Sequence, residues 1–289
     1  MWTNKIIYQL YLPSFQKNFK QIAEMGEYFK KLNISTIWFS PIFPSGGKDN
    51  GYDVTDFYTT DNKYGSLDDF KYMINKLHSN KIKILIDMIP NHTSIKHKWF
   101  QDARHLDSKK RNWYVWAKEN ELPTNWFSYF EDKPWTLDKK SNMYYYHHFY
   151  KEQPDLNFWN IEVREEIIKI FRYWLDLGVD GFRVDAIGCL YHDKNLLDNK
   201  NNLRQNQMNK PETIEFIKEL KDTLKKEYPE SILLGETEFK SVYDKIELTK
   251  ALDFAMNYNW TFINELDCNK FYRETLIWNN LTNSLKKTP

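Results

Sequence analysis

Two cysteines among 289 residues, Cys189 and Cys268, are too few for a disulfide framework, which excludes a small covalently stapled fold. Both are expected to be buried thiols. No apolar run approaches the roughly 20 residues of a membrane span, so no membrane partner is implied. An excess of charge of one sign is also missing. Lys and Arg number 41 against 40 Asp and Glu, a net charge of +1, and the two signs are interspersed. That pattern leaves no footprint for a nucleic-acid partner. The start Met1-Trp-Thr runs straight into the apolar Ile6–Tyr11, without the basic and apolar regions of a secretory leader. Thiols and no leader together point to a cytoplasmic chain.

Aromatic residues are plentiful at 17%, with 11 Trp. A large aromatic core explains this more simply than stacking platforms for sugars. Short apolar strands alternate with amphipathic helices along most of the chain. Strands are expected over Ile6–Tyr11, Thr36–Phe39, Lys83–Asp87, Gly181–Asp185, Ser231–Glu236 and Leu252–Met256. Helices are expected over Lys20–Leu32, Leu67–Asn80, Ile161–Leu177 and Thr213–Tyr228. Such alternation implies an α/β fold with a parallel sheet. One stretch breaks it. From about Asn91 to Leu156 the chain carries Trp99, Trp113, Trp116, Trp126, Trp135 and the run Tyr144-Tyr-Tyr-His-His-Phe-Tyr150 with little periodicity. A loop that long is uncommon in a compact domain, so residues 92–156 are expected to form an inserted aromatic-rich domain. Residues 1–91 and 157–289 then form the barrel.

Two strands end in carboxylates. In Gly181-Phe-Arg-Val-Asp185, Arg183 and Asp185 share one face, because strand side chains alternate with period two. Ser231-Ile-Leu-Leu-Gly-Glu236 delivers Glu236 in the same way. Carboxylates at the C-terminal ends of successive strands are how a (β/α) barrel builds an active site. A retaining glycosidase needs such a pair, one ionised as nucleophile and one protonated as acid.

Five motifs in order, Gly51-Tyr-Asp53, Asp87-Met-Ile-Pro-Asn-His92, Gln153-Pro-Asp-Leu-Asn157, Gly181-Phe-Arg-Val-Asp185 and Gly235-Glu-Thr-Glu238, resemble the α-amylase superfamily of glycoside hydrolases. The resemblance runs from about Trp2 to about Ile263. Gln153–Asn157, with Trp113-Tyr-Val-Trp116 and Asn125-Trp-Phe-Ser128, is similar to the oligo-1,6-glucosidase and α-glucosidase branch. It implies a (β/α)8 TIM barrel and a retaining α-glucosidase acting on short oligosaccharides, with no cofactor. Asp185 would be the nucleophile, Glu236 the acid and then the base, and Arg183 the partner that keeps Asp185 ionised. Asp53 and His92 would bind hydroxyls of the cleaved sugar, Tyr52 would stack beneath it, and Phe149 would line the entrance. Asp87 and Asn91 would support the architecture. Ala186, directly after Asp185, leans toward α-1,4 rather than α-1,6 linkages.

Two departures from the family pattern stand out. Pro13–Lys20 has no carboxylate where relatives carry a calcium loop, so no metal is expected. After Glu236 no Asn-His-Asp triplet follows, and about six of eight βα units are expected, as in a truncated chain. Alternative readings are a transglucosidase or isomerase of the same branch, a non-enzymatic scaffold relative, or an inert sugar-binding fragment.

Overall fold

The computed structural model describes residues 6–122, 124–200, 204–236 and 242–256, with 272 and 276. Among them the central feature is a parallel sheet of β1 (Ile7–Leu10), β2 (Thr36–Phe39), β3 (Lys83–Met88), β7 (Gly181–Val184), β8 (Ile232–Gly235) and β9 (Phe254–Ala255), adjacent in that order. Six strands curl into a half-barrel, an incomplete (β/α)8 barrel. Strands β4 (Trp116–Ala117), β5 (Trp135–Asp138) and β6 (Met143–Tyr146) form a separate antiparallel sheet in the order β4-β6-β5.

Period-two alternation decides what each barrel strand presents. On β7, Phe182 and Val184 join the core beneath the helices, where Phe182 meets Phe171 of α6 (Ile161–Asp176) with ring centroids 4.5 Å apart. On the opposite face, Trp38, Leu85, Ile232 and Leu234 form a separate apolar cluster inside the arc. Gly181 also faces inward, paired with Ile232. A Cβ there would lie 2.3 Å from the Ile232 carbonyl oxygen and 2.8 Å from its nitrogen, at a φ of +155°. Only glycine lets these strands approach so closely.

The helices start where the sequence offers caps. Ser66 Oγ accepts from Asp69 N–H, and Asp69 Oδ2 accepts from Ser66 N–H, both at 3.1 Å. This reciprocal box opens α4 (Leu67–Ser79). Asn160 caps α6, and Pro211 opens α7 (Pro211–Glu227). The expected helix Lys20–Leu32 is instead two, α2 (Phe19–Ala23) and α3 (Gly26–Lys31). Gly26 packs against Asn80, where a Cβ would sit 2.4 Å from the amide nitrogen, and the chain turns at Glu24 and Met25 to make that contact. A further short helix, α1 (Leu12–Phe15), follows β1. The remaining expected strands and helices are observed with boundaries shifted by at most two residues, Thr36–Phe39 not at all, and α5 (Lys98–Ala103) and α8 (Val242–Ala251) complete the set. Cys189 is buried; Cys268 and Glu238 lie outside the described residues.

The aromatic stretch between β3 and α6 divides its rings between two cores. Trp99, Trp113, Tyr114 and Tyr145 pack into the main core. Val115, Ala117, Trp126, Trp135 and Tyr146 form a cluster of their own. The antiparallel bridge His92↔Asp155 brings the two ends of the stretch together, and Tyr114↔Leu156 ties its middle to its last residue. The loop after β7 is strapped onto it. Trp126 Nε1 donates to the Leu197 carbonyl at 2.9 Å, and the Asn125 side chain pairs with the backbone of Asn199 at 2.7 and 2.9 Å.

Two outcomes follow for stability. Gly181→Ala should cost about 2–3 kcal/mol, read as a lowered urea midpoint at unchanged slope. Burial holds His148 neutral and lowers its pKa from 6.5 to about 3. The unfolded chain therefore takes up a proton below pH 6.5 that the folded chain refuses, so this contribution is present above 6.5 and fades as the pH falls. Relative to His148→Gln, the wild type should lose about 1.4 kcal/mol per pH unit below 6.5 and nothing above it. Urea titrations from pH 4.5 to 8 would check the slope.

Candidate active site

Strand register assembles the site. Asp87 pairs with Arg183, and Arg183 pairs with Leu234, so the inward positions of β3, β7 and β8 stand level. Asp185 lies two residues beyond Arg183, and Glu236 two beyond Leu234, at the C-terminal mouth of the barrel. The hub is Arg183. Its Nη1 donates to Asp87 Oδ1 at 2.8 Å and to Asp185 Oδ1 at 2.5 Å, and its Nη2 reaches Glu236 Oε1 at 2.6 Å. Beneath it the Trp38 ring lies 5.1 Å from the guanidinium carbon. Glu236 Oε2 accepts from the Ala186 N–H at 3.0 Å. Ala186 is left-handed, with φ 46° and ψ 39°, a costly conformation for a residue with a Cβ that starts the sharp turn after Asp185.

Three carboxylates converge on one cation in a nearly dry pocket. Burial opposes the charge on Arg183, yet Asp87, Asp185 and Glu236 hold it protonated above its usual range. One positive charge cannot keep three acids ionised there. Burial pushes Asp87 up to about 6 against the pull of Arg183. Asp185 is raised well above the ordinary carboxylate range, first by burial and then by Glu236 and Asp87, with Arg183 opposing.

Most of the remaining expected residues gather beside this cluster. Tyr52 donates its hydroxyl to Asp87 Oδ2 at 3.1 Å. Burial, with Asp87 and Asp185 nearby, raises its pKa and keeps the phenol protonated. His92 is buried, its Nε2 3.2 Å from the Tyr52 carbonyl and 3.0 Å from Gln153 Nε2. Burial lowers its pKa to about 4, so the ring is neutral at pH 7. The Phe149 ring lies 5.1 Å from that of His92. Asp53 is not part of this group. Its Oδ1 accepts from Ser45 Oγ at 2.5 Å and the Lys48 N–H at 3.0 Å, and its Oδ2 accepts from Ser94 Oγ at 3.2 Å. Those bonds tie down the loop before Tyr52.

Two residues without an assigned role in the sequence reading are found at the site. Gln153 Nε2 donates to Asp49 Oδ2 at 3.0 Å and contacts His92. Burial raises the Asp49 pKa, against the Gln153 bond. The available signal was the turn-forming Asp49-Asn-Gly51 directly before Tyr52, which is observed as a 3₁₀ turn. Among the described residues, no group of three or more His, Cys, Asp or Glu is arranged to hold a metal ion. Where the acids do converge, the guanidinium occupies the place of a cation.

The α-amylase catalytic-domain family model matches residues 18–288. The chain belongs to the α-amylase family. A trehalose-6-phosphate hydrolase of Bacillus subtilis is 33% identical over 274 residues, covering 89% of this chain and 49% of that protein. An α-glucosidase of Schizosaccharomyces pombe is 40% identical over 212 residues, covering 68% and 37%. The solved structure of an α-glucosyl transfer enzyme superposes with a TM-score of 0.87 at 32% identity, covering 98% of this chain and 58% of that one. The chain therefore spans about half, or less, of the length of the curated relatives it matches. No helix among the described residues is long and apolar enough to cross a membrane.

Removing the hub should expose the cost of crowding these acids. Arg183→Met is expected to lose about 3–5 kcal/mol at pH 7, as buried pairs do when one partner is deleted. Without the cation the carboxyls hold their protons to higher pH. The loss should therefore shrink as the pH falls toward 5, a trend that thermal melts at both pH values would reveal.

Proposed function

We propose that this α-amylase family chain contributes the nucleophile and the acid of a retaining site that processes short α-glucosides. The observation that carries this reading is the Asp185–Glu236 pair at the barrel mouth, both bonded to the guanidinium of Arg183, at 2.5 and 2.6 Å. An inverting pair needs a gap of about 6.5–9.5 Å to hold water between its carboxyls; two carboxyls held side by side on one guanidinium favour the closer spacing of a retaining pair. Asp185, with its Oδ1 on Arg183, attacks the anomeric carbon. For this step the proton of the crowded acids rests on Glu236 and Asp185 is ionised on Arg183; Glu236 gives that proton to the departing glycosidic oxygen, and the covalent glucosyl–Asp185 ester forms. Glu236, now ionised, takes a proton from water as that water releases the sugar.

The surrounding side chains fit a sugar ring in this place. Tyr52 offers a ring beside the acids, and neutral His92 offers a hydrogen-bonding edge. Asp49, held by Gln153, takes the hydroxyl-binding place that the sequence pattern gave to Asp53, whose oxygens hold the loop. Phe149 forms the entrance wall, and residues 92–156 serve as the inserted domain over the mouth. A second reading, glucosyl transfer to a sugar hydroxyl in place of water, is favoured by the likeness to the α-glucosyl transfer enzyme. It uses the same intermediate and differs only in the acceptor.

The intermediate is the test. With a fluorinated α-glucosyl fluoride, which slows release of the ester, mass spectrometry should find one added glycosyl group on the peptide containing Asp185. Asp185→Asn should abolish the adduct. Labelling at another residue, or none under conditions in which glucosides are turned over, would contradict the assignment.

A further inference from the structure

Gln207 lies in the loop after β7 and is fully buried. A long polar side chain is taken out of water only where its bonds are met, and this amide spends both ends on the inserted segment. Its Oε1 accepts from the Phe127 N–H at 3.3 Å, and its Nε2 donates to the Phe127 carbonyl. Nε2 also donates to the Tyr146 hydroxyl at 3.1 Å. From the loop itself, Asn199 Nδ2 donates to Oε1 at 3.4 Å.

Two residues further on, the chain meets the turn that follows Asp185. The Asn209 N–H donates to the Gly188 carbonyl at 2.6 Å. Asn209 is left-handed there, at φ 56°, a conformation that asparagine tolerates better than most residues. The fit is close, since a Cβ on Gly188 would lie 2.4 Å from Asn209 Oδ1. Gly188 belongs to the 3₁₀ turn Ile187–Cys189, which Ala186 begins. The Cys189 N–H donates to the Ala186 carbonyl at 2.9 Å, and the Ala186 N–H is the donor to Glu236 Oε2. A left-handed alanine persists only where its surroundings hold it. We propose that Gln207 is a positioning residue which, by seating Asn209 against Gly188, keeps the Ala186 N–H aimed at Glu236. This rests on the reading of Glu236 as the acid and adds a residue that acts on it through the turn. With Oε1 on Arg183, each oxygen of Glu236 is then held by a donor. An N–H on the ionised carboxylate makes the proton easier to give up.

The test is a carboxyl-carbon NMR titration of the full chain labelled at Glu, with the Glu236 resonance assigned by its loss in Glu236→Gln. Gln207→Met keeps the volume and removes the amide. It should raise the Glu236 midpoint by about one pH unit, the worth of one bond to a charged group. Gly188→Ala leaves Gln207 in place, pushes Asn209 off the turn, and should act in the same direction. It decides the matter if circular dichroism shows that Gln207→Met does not fold. Trp126→Phe removes a bond to the same loop at the Leu197 carbonyl and should leave the midpoint where it is. The charges facing Glu236 among the described residues, Arg183, Asp185 and Asp87, are unchanged in all three variants. An unmoved Glu236 midpoint, or an equal rise with Trp126→Phe, would overturn the positioning role and leave the retaining chemistry intact. Absence of the glycosyl ester on Asp185 would instead overturn the reading of the site; the titration needs no substrate, so the two failures are distinct.

Discussion

A single guanidinium buried among three carboxylates sets the terms for this half-barrel. Arg183 can bond Asp87, Asp185 and Glu236 at once only if β3, β7 and β8 stand in the observed register, with a glycine at position 181 letting β7 and β8 close together. Trp38 and the leucines and isoleucines of the inner cluster form the dry floor that raises the cost of any unpaired charge above them. The interaction is therefore both a lock on the sheet and a constraint on how many protons the site must keep.

That proton count links the structure to chemistry. Net negative charge in a low-dielectric pocket is relieved by binding protons, and the acid that keeps one can later give it away. Crowding three carboxyls around one cation thus favours retention of a proton among them, with no special group required. Tyr52 and neutral His92 complete a wall that can bond hydroxyls without adding charge.

Legibility in the sequence followed local periodicity. Arg183 and Asp185 could be placed on one face from spacing alone, and Glu236 from the shape of its strand, because alternation is a property of the backbone. The role of Asp87 as a direct partner of Arg183 depends on register between strands about a hundred residues apart and was legible only as support. Asp49 and Asp53 are both carboxylates on one turn, and only three-dimensional folding shows which is taken up by Ser45 and Ser94 and which faces Gln153. The split of Lys20–Leu32 depends on a tertiary contact between Gly26 and Asn80. The inserted aromatics were correctly suspected of packing, since Trp99 and Trp113 lie in the main core and Trp126 and Trp135 in a small one. Their division between two cores carries no sequence signal.

The direct measurement is a carboxyl-carbon NMR titration of the chain labelled at Asp and Glu, compared with Asp185→Asn and Glu236→Gln. At pH 7 the account predicts at least one carboxyl resonance still at its protonated position in the wild type, altered in both variants. If every Asp and Glu carboxyl were ionised by pH 5, Arg183 would be balancing three full charges, and the retained proton on which the proposed chemistry rests would not exist.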